Sequence, residues 1–191
     1  MWRRWGVILG CMVVLFAGCA RVGVETISGN VGILADRHTY GWLEPDRENE
    51  DSRVYNPEVD SVVRKTVDKS LAGLGYTQVA QNKNPDFLIS WFGGIEKKIK
   101  VETIDHFYAN HGYGAMASMM PKQVAEGATT REFVQGTIMI DILDPQSHQL
   151  IWRGTGSDRL RQGMNKEDAA LYIKRVVTAI FKELPPANPR K

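Results

Sequence analysis

Cysteine is nearly absent from this chain. Its 191 residues contain only two cysteines, Cys11 and Cys19, and both lie within the first nineteen positions. The chain after Cys19 therefore has no thiol for a disulfide, for a cysteine-based metal site or for thiol redox chemistry.

An excess of charge of one sign is also missing once the first eighteen residues are set aside. The whole chain has 24 basic and 22 acidic residues, for a net charge of +2. Residues 1–18 contain Arg3 and Arg4 and no acidic residue, so the rest holds 22 residues of each sign. A neutral chain without a basic patch argues against nucleic acid as a partner.

No motif of known catalytic geometry occurs in the sequence. Asp141, Ser147 and His148 together suggest a hydrolase, but Ser147 lies in a predicted turn and lacks the Gly-x-Ser-x-Gly context of a nucleophile elbow. The glycines at 154–156 are too few for a phosphate-binding loop. We therefore expect a protein that is not an enzyme and that needs no cofactor.

The first nineteen residues, by contrast, carry a clear signal. A basic head at 1–5 precedes an apolar run from Gly6 to Gly18, and small residues lead into Cys19. This layout is typical of a secretory signal peptide. The apolar run is shorter than the roughly 20 residues that a spanning helix needs, so an uncleaved transmembrane anchor is disfavoured.

The end of this segment resembles the lipobox of bacterial lipoproteins. It reads Phe16-Ala17-Gly18-Cys19, with phenylalanine where leucine is commoner. The resemblance implies cleavage between Gly18 and Cys19 and attachment of lipid to the Cys19 thiol. The lipid would anchor the N-terminus of the processed chain in a membrane, which is thus an expected partner. An ordinary signal peptide with a cysteine at the cut is the alternative. Ala20, where an aspartate would favour inner-membrane retention, implies the outer membrane and a domain that faces the periplasm.

The length of the processed chain predicts a single domain. After a signal peptide at 1–18 we expect a lipidated tether at 19–35, with at most one short strand around 21–27. A single domain follows over 36–186, and residues 187–191 form a polar tail.

Two helices are predicted from capping residues and apolar periodicity. Asn56 and Pro57 begin the first helix, and Gly75 ends it in a left-handed conformation. Asn165 caps the second helix, with Asp168 in the capping-box position, and the Pro-Pro pair at 185–186 ends it.

Apolar and alternating segments between these helices predict a sheet. Gly93-Gly94 permits a bulge or a bend, and Arg153 is interpreted as a charge at a strand edge. The expected fold is α+β, with a twisted, mainly antiparallel sheet and two helices packed on one face. The predicted strands lie at 36–43, 76–80, 86–92, 95–104, 131–143 and 149–159.

Several segments, in their order and spacing, resemble the bacterial lipoprotein family catalogued as domain of unknown function 4136. The resemblance covers roughly 36–186, and the chain departs from the family's usual Phe-Pro-Pro ending by having Leu184 before the two prolines. It implies an envelope lipoprotein with an α+β fold, and it supplies no catalytic residues. The segments that carry it are 40–43, 56–57, 74–76, 85–90, 136–141 and 150–154.

The long loop at 106–120 is the most apolar loop of the chain, and loops of this length are usually functional or disordered. We expect it to contact an unidentified protein partner in the envelope or the bilayer, and binding of a small molecule is an alternative. His106 and His111 suggest copper or zinc binding as an alternative, helped by Asp105 or Met116, but no third ligand is evident, so no metal site is predicted. The residues of the expected partner surface are Phe107, Tyr108, Tyr113, Met116, Met119 and Met120.

Overall fold

The computed structural model describes residues 22–29, 31–44, 51–95, 135–161 and 163–189. These residues form one six-stranded sheet, two α-helices and two short 3₁₀ helices. The strands are β1 (Gly23–Ser28), β2 (Thr39–Trp42), β3 (Thr77–Gln78), β4 (Phe87–Ile95), β5 (Gln135–Leu143) and β6 (Leu150–Arg159). The helices are α1 (Pro57–Gly73) and α2 (Lys166–Phe181), and the 3₁₀ helices are Val31–Asp36 and Gln81–Lys83.

The strand order across the sheet is β1-β6-β5-β4-β2-β3. The first four strands in this order are antiparallel neighbours, whereas β2 is parallel to both β4 and β3. Helix α1 connects β2 to β3, because parallel neighbours need a crossover connection. The predicted α+β fold with a mainly antiparallel sheet is therefore confirmed, with a parallel edge that the sequence did not reveal.

Both helices begin as the capping residues predict. The Asn56 side-chain oxygen accepts a hydrogen bond from the Val59 amide at 3.0 Å, and Asn165 accepts one from the Asp168 amide at 2.8 Å. Each bond satisfies one of the amides that a helix start leaves without a partner. Gly75 follows α1 at φ +91°, a left-handed conformation that glycine adopts without steric cost.

Helix α1 docks on the sheet through two carboxylates as well as through apolar contacts. Asp60 accepts a hydrogen bond from the indole of Trp91 at 2.9 Å. Two turns further on, one oxygen of Asp68 accepts from the Tyr40 hydroxyl at 2.7 Å and from the Trp42 indole at 3.0 Å. The eight-residue spacing places both acids on one helix face, so α1 is held to β2 and β4 by directional bonds.

Both helices cover the same face of the sheet, as predicted. Ile138, Ile140 and Ile142 of β5 are buried on this face. On β4, Ser90 and Phe92 are buried as well, although their side chains alternate with Trp91 and so point to the opposite face. Burial on both faces explains why the sequence of this strand is a nearly continuous apolar run.

The strand predicted at 86–92 extends beyond its predicted end, and the bulge or bend that Gly93-Gly94 permits is not formed. β4 continues through both glycines to Ile95 and keeps an unbroken register with β5, from Leu88 opposite Leu143 to Ile95 opposite Gly136. The remainder of the strand predicted at 95–104 lies outside the described residues.

The short strand expected around 21–27 is present as β1, and described residues on both sides of 36–186 contact the domain. Residues of the predicted tether form β1, which pairs along its whole length with β6, and the Leu34 side chain is fully buried. At the other end, the Ala187 amide donates to the Leu74 carbonyl at 2.9 Å, and the Asn188 amide donates to the Ala35 carbonyl at 2.7 Å. The described parts of the tether and of the polar tail therefore belong to the folded domain.

The turn between β5 and β6 is organised by one carboxylate, Asp144. Its Oδ1 accepts from the amides of Gln146 at 2.9 Å and Ser147 at 2.7 Å, and its Oδ2 accepts from the Arg37 guanidinium. Partial burial by itself would raise the pKa of Asp144, but the hydrogen bonds from Ser147, Arg37 and Gln146 outweigh it and lower the pKa to about 2.

This depressed pKa makes part of the stability depend on acid pH. Because the folded pKa lies below the unfolded value of 3.8, the contribution is complete above about pH 4 and is lost as pH falls toward about 2. We expect Asp144→Asn, which keeps the acceptor for the turn amides, to lose this contribution of about 1 kcal/mol, since solvent screens a partly exposed pair. The measurement is the free energy of unfolding between pH 2 and pH 6, and an unchanged profile in the variant would contradict the expectation.

Candidate ligand-binding pocket

An apolar pocket of about 340 Å³ lies where both helices begin and where β4 ends beside the start of β5. Its volume is at the lower end of the range found for small-molecule sites. Side chains from three directions form its walls: Val59 and Val63 of α1, Ala169 and Ile173 of α2, and Trp91 and Ile138 of the sheet.

Two glycines bring the walls of this pocket close to the sheet. A Cβ on Gly93 would lie 2.5 Å from Val54 Cγ1, and a Cβ on Gly136 would lie 2.6 Å from the Tyr172 hydroxyl oxygen. Both distances are shorter than van der Waals contact allows, so Val54 and Tyr172 can reach the sheet only because these positions lack a side chain. Gly93 thus serves close packing at the end of the strand.

Tyr172 contributes a fixed wall without contributing a reactive group. Its hydroxyl donates to the Gly136 carbonyl at 2.7 Å and lies 3.2 Å from the Asp158 carbonyl oxygen. Burial is the main cause that raises the pKa of Tyr172 to about 12, so the hydroxyl stays protonated at neutral pH.

Among the described residues that line the pocket, two are charged, and both are arginines. Arg53 and Arg161 are both exposed, which places their guanidinium groups on the solvent side. Arg53 also forms an ion pair with Asp51 at 2.7 Å. The pocket therefore combines an apolar interior with a cationic rim.

A buried ion pair lies on the opposite face of the sheet. Arg153 Nε and Nη2 donate to the two carboxylate oxygens of Asp141 at 2.6 and 2.5 Å, and the two side chains are 3% and 0% exposed. Their residues are register partners on β6 and β5, and Ser90 of β4 is the next partner in the same row. The interpretation of Arg153 as a strand-edge charge is wrong, since β6 has a neighbour on both sides and the side chain is buried.

The residues that suggested a hydrolase do not form a catalytic site. The Asp141 carboxylate is bound by Arg153, whereas Ser147 and His148 belong to the β5–β6 turn, and His148 has φ +56°. The Ser147 amide is a donor to Asp144 in that turn. Trp152, which precedes Arg153 on β6, is fully buried.

The other sequence-based candidates lie outside the described residues. They comprise Gly18 and Cys19 at the predicted cleavage and lipidation site, the histidines at 106 and 111, and the whole 106–120 segment. Among the described residues, no group of three or more His, Cys, Asp or Glu side chains is placed to hold a metal ion. Over the same described ranges, no helix is long and apolar enough to cross a membrane.

Sequence reasoning missed the pocket. Its lining comes from α1, α2, two strands and the segments just before the two helices. No local sequence pattern indicates that these segments lie close together in the fold. The one local signal was the Gly93-Gly94 pair, which indicated an unusual backbone environment but not its cause.

Together, the sheet, the two helices and the pocket define an α+β domain with an apolar cavity of ligand size. The chain belongs to the family described as Domain of unknown function (DUF4136), whose model matches residues 34–186. This finding confirms the family resemblance and carries no catalytic assignment. No curated protein matches the chain.

Several solved structures resemble the chain at low identity, among them the following three. A PelC dodecamer from Paraburkholderia phytofirmans has 10% identity and a TM-score of 0.49, with 88% of this chain and 100% of that chain covered. A DUF4136 family protein from Bacteroides thetaiotaomicron has 10% identity and a TM-score of 0.45, with 84% and 95% covered. A PDZ domain protein from Parabacteroides distasonis has 15% identity and a TM-score of 0.45, with 81% and 34% covered. Values this low support no functional argument.

Proposed function

We propose that this protein is a lipid-anchored lipoprotein of the cell envelope whose domain binds a ligand or partner rather than catalysing a reaction. The observation that carries the binding role is the apolar pocket at the start of both helices. A cavity with an apolar lining and few polar groups suits recognition, since it removes hydrocarbon surface from water.

The geometry around the titratable residues supports a non-catalytic role. Asp141 is bound by Arg153, Asp60 and Asp68 accept bonds from the aromatic side chains of the sheet, and Asp144 organises a turn. Each of these carboxylates has a structural role, and none lines the pocket. An enzyme site instead needs a nucleophile, an acid or a base directed into its cavity.

Lipid anchoring is supported by the sequence Phe16-Ala17-Gly18-Cys19 and by the position of the first strand. β1 begins at Gly23, four residues after Cys19, which the chain can span over at most about 14 Å. A lipid on Cys19 would thus hold the folded domain close to the membrane. Two or three acyl chains make such attachment firm, because each buried methylene contributes about 0.8 kcal/mol.

The anchoring proposal predicts the effect of a single substitution. In the organism's own envelope we expect Cys19→Ser to abolish lipid attachment, since serine lacks the thiol, and to leave unprocessed precursor or to release the protein from the lipid fraction. The matched control is Cys11→Ser, which removes the other cysteine and should leave processing unchanged. Metabolic labelling with a radioactive fatty acid and membrane fractionation measure both. A Cys19→Ser protein that is still labelled and fully processed would overturn the proposal.

The proposal also includes a membrane location and a surface that contacts a protein partner. Ala20 favours the outer membrane with the domain facing the periplasm, which density-gradient separation of the two membranes tests directly. The 106–120 segment, with its aromatic and methionine side chains, is proposed as the contact surface for an envelope protein. Recovery of the wild-type chain in the inner-membrane fraction would contradict the location.

A further inference from the structure

The geometry points to a ligand class for the pocket: a single-chain amphiphile with an anionic head group, of the fatty-acid type. Its acyl chain would lie between the two helices and the sheet, and its head group would face Arg161 and Arg53. This inference deepens the proposed binding role and shares its pocket, but it does not require Cys19 to be lipidated.

The interior of the pocket selects for hydrocarbon. Apart from Arg53, Arg161 and Thr137, the described side chains that line it are apolar or aromatic, and the Tyr172 hydroxyl already donates to the Gly136 carbonyl. A polar group placed there would lose its water without gaining a partner, at a cost of about 1–3 kcal/mol on the scale of protein mutations. An acyl chain has no polar group to desolvate, and a volume of about 340 Å³ suits one chain rather than two.

The rim selects for an anion. Arg53 and Arg161 are exposed, and no aspartate or glutamate is among the described residues that line the pocket. Asp51 offsets part of the charge of Arg53, whereas Arg161 adds a second guanidinium with five donors suited to a carboxylate. A ligand with a positive head group would meet like charge at the same place.

The pocket also lies at the end of the sheet where the chain enters from its N-terminus. Gly23 of β1 is opposite Ser157, Ser157 is opposite Thr137, and Thr137 is opposite Gly94. Thr137 and Gly94 line the pocket, so the start of β1 is two strand spacings, about 10 Å, from its wall. If the proposed anchor is correct, this end of the domain faces the membrane, where single-chain amphiphiles are concentrated.

Titration with three 12-carbon amphiphiles tests the inference. The protein is the chain from residue 19 to 191 with Cys19→Ser, which retains every described residue and avoids a competing lipid. Dodecanoate, dodecyltrimethylammonium and dodecyl maltoside are added below their micelle concentrations, and binding is followed by calorimetry and by tryptophan fluorescence, since Trp91 lines the pocket. We expect saturable binding of dodecanoate and at least fivefold weaker binding of the other two.

Two variants with matched controls locate the binding. Ala169→Phe fills the cavity from α2 and should weaken dodecanoate binding more than tenfold, whereas Leu171→Phe adds the same ring at an exposed position of the same helix and should not. Arg161→Gln should weaken dodecanoate about two- to fivefold, as expected for an exposed ion pair, and leave the maltoside unchanged. Lys182→Gln, an exposed lysine at the far end of α2, is its charge control.

The outcomes separate this inference from the anchoring proposal. No saturable binding of dodecanoate, equal binding of all three amphiphiles, or equal loss in Ala169→Phe and Leu171→Phe would each overturn it. Thermal unfolding of every variant is measured first, and if Ala169→Phe does not fold, the Arg161→Gln and Lys182→Gln pair decides. None of these results depends on whether Cys19 is lipidated in the cell.

Discussion

Arg153→Met is expected to destabilise the domain by about 3–5 kcal/mol. The methionine keeps much of the length and apolar character of the arginine stem but removes the Nε and Nη2 donors that bind both oxygens of Asp141. The Asp141 carboxylate, which is 0% exposed, would then remain buried without its cation. Since single domains have total stabilities of about 5–15 kcal/mol, this loss is a large share of the total.

A second Arg–Asp pair offers a matched control. Arg175 Nη2 lies 2.6 Å from Asp158 Oδ2, but the arginine is 52% exposed, so Arg175→Met should cost less than about 1 kcal/mol. Denaturant unfolding of both variants provides the comparison. The double variant Asp141→Leu with Arg153→Met should recover most of the loss, because an apolar pair removes the buried charge altogether. Equal stability of Arg153→Met and Arg175→Met would show that burial of the pair is not decisive.

Gly154→Ala is expected to be the most damaging glycine-to-alanine change among the described residues. The new Cβ would lie 2.3 Å from Trp152 Cη2 and 2.4 Å from Ile180 Cγ2. Both neighbours are 0% exposed, so neither can move aside without displacing other core groups. We expect a loss of about 3 kcal/mol, at the upper end of the range for overpacked cores, since α2 must be lifted from β6.

The same substitution at a second glycine provides the control. Nothing lies within 4 Å of a Cβ built on Gly73, at the end of α1, so Gly73→Ala should be neutral or stabilise the protein by up to about 1 kcal/mol through helix propensity. Thermal and denaturant unfolding of the two variants measure the difference. A Gly154→Ala protein as stable as Gly73→Ala would mean that α2 does not pack against β6 as described.

The helices were predicted accurately because their signals are local. The capping interactions of Asn56, Pro57 and Asn165 lie within one turn, and Gly75 acts through its own backbone angle. Each can therefore be recognised in the sequence without knowledge of distant residues. The β5–β6 hairpin could also be predicted from the sequence, since its strands adjoin a short turn. The parallel pairing of β2 with β4 could not be predicted, because it joins segments separated by α1 and depends on how that helix crosses the sheet.

The buried Arg153–Asp141 pair and the pocket could not be predicted from the sequence either, because each depends on how separate segments pack in the fold. Arg153 and Asp141 are twelve residues apart, and only their register on neighbouring strands brings the two side chains together in the interior. In the pocket, Arg53 and Arg161 are more than a hundred residues apart and lie near one cavity because both helices start at the same end of the sheet. Charges that look exposed in a sequence can thus be buried or paired once the strands are ordered.

The sequence by itself determined the family, the α+β class and the helix ends. It also determined the shortage of cysteine and of net charge, which excludes thiol chemistry beyond Cys19 and argues against nucleic-acid binding. These follow from composition and from interactions within a few residues. Only the tertiary structure decided that Arg153 is buried against Asp141, that Gly93 and Gly154 allow close approach, and that an apolar pocket opens beside two arginines. The physical reason is that burial and cavity shape depend on which distant segments pack together, and no local pattern specifies that packing.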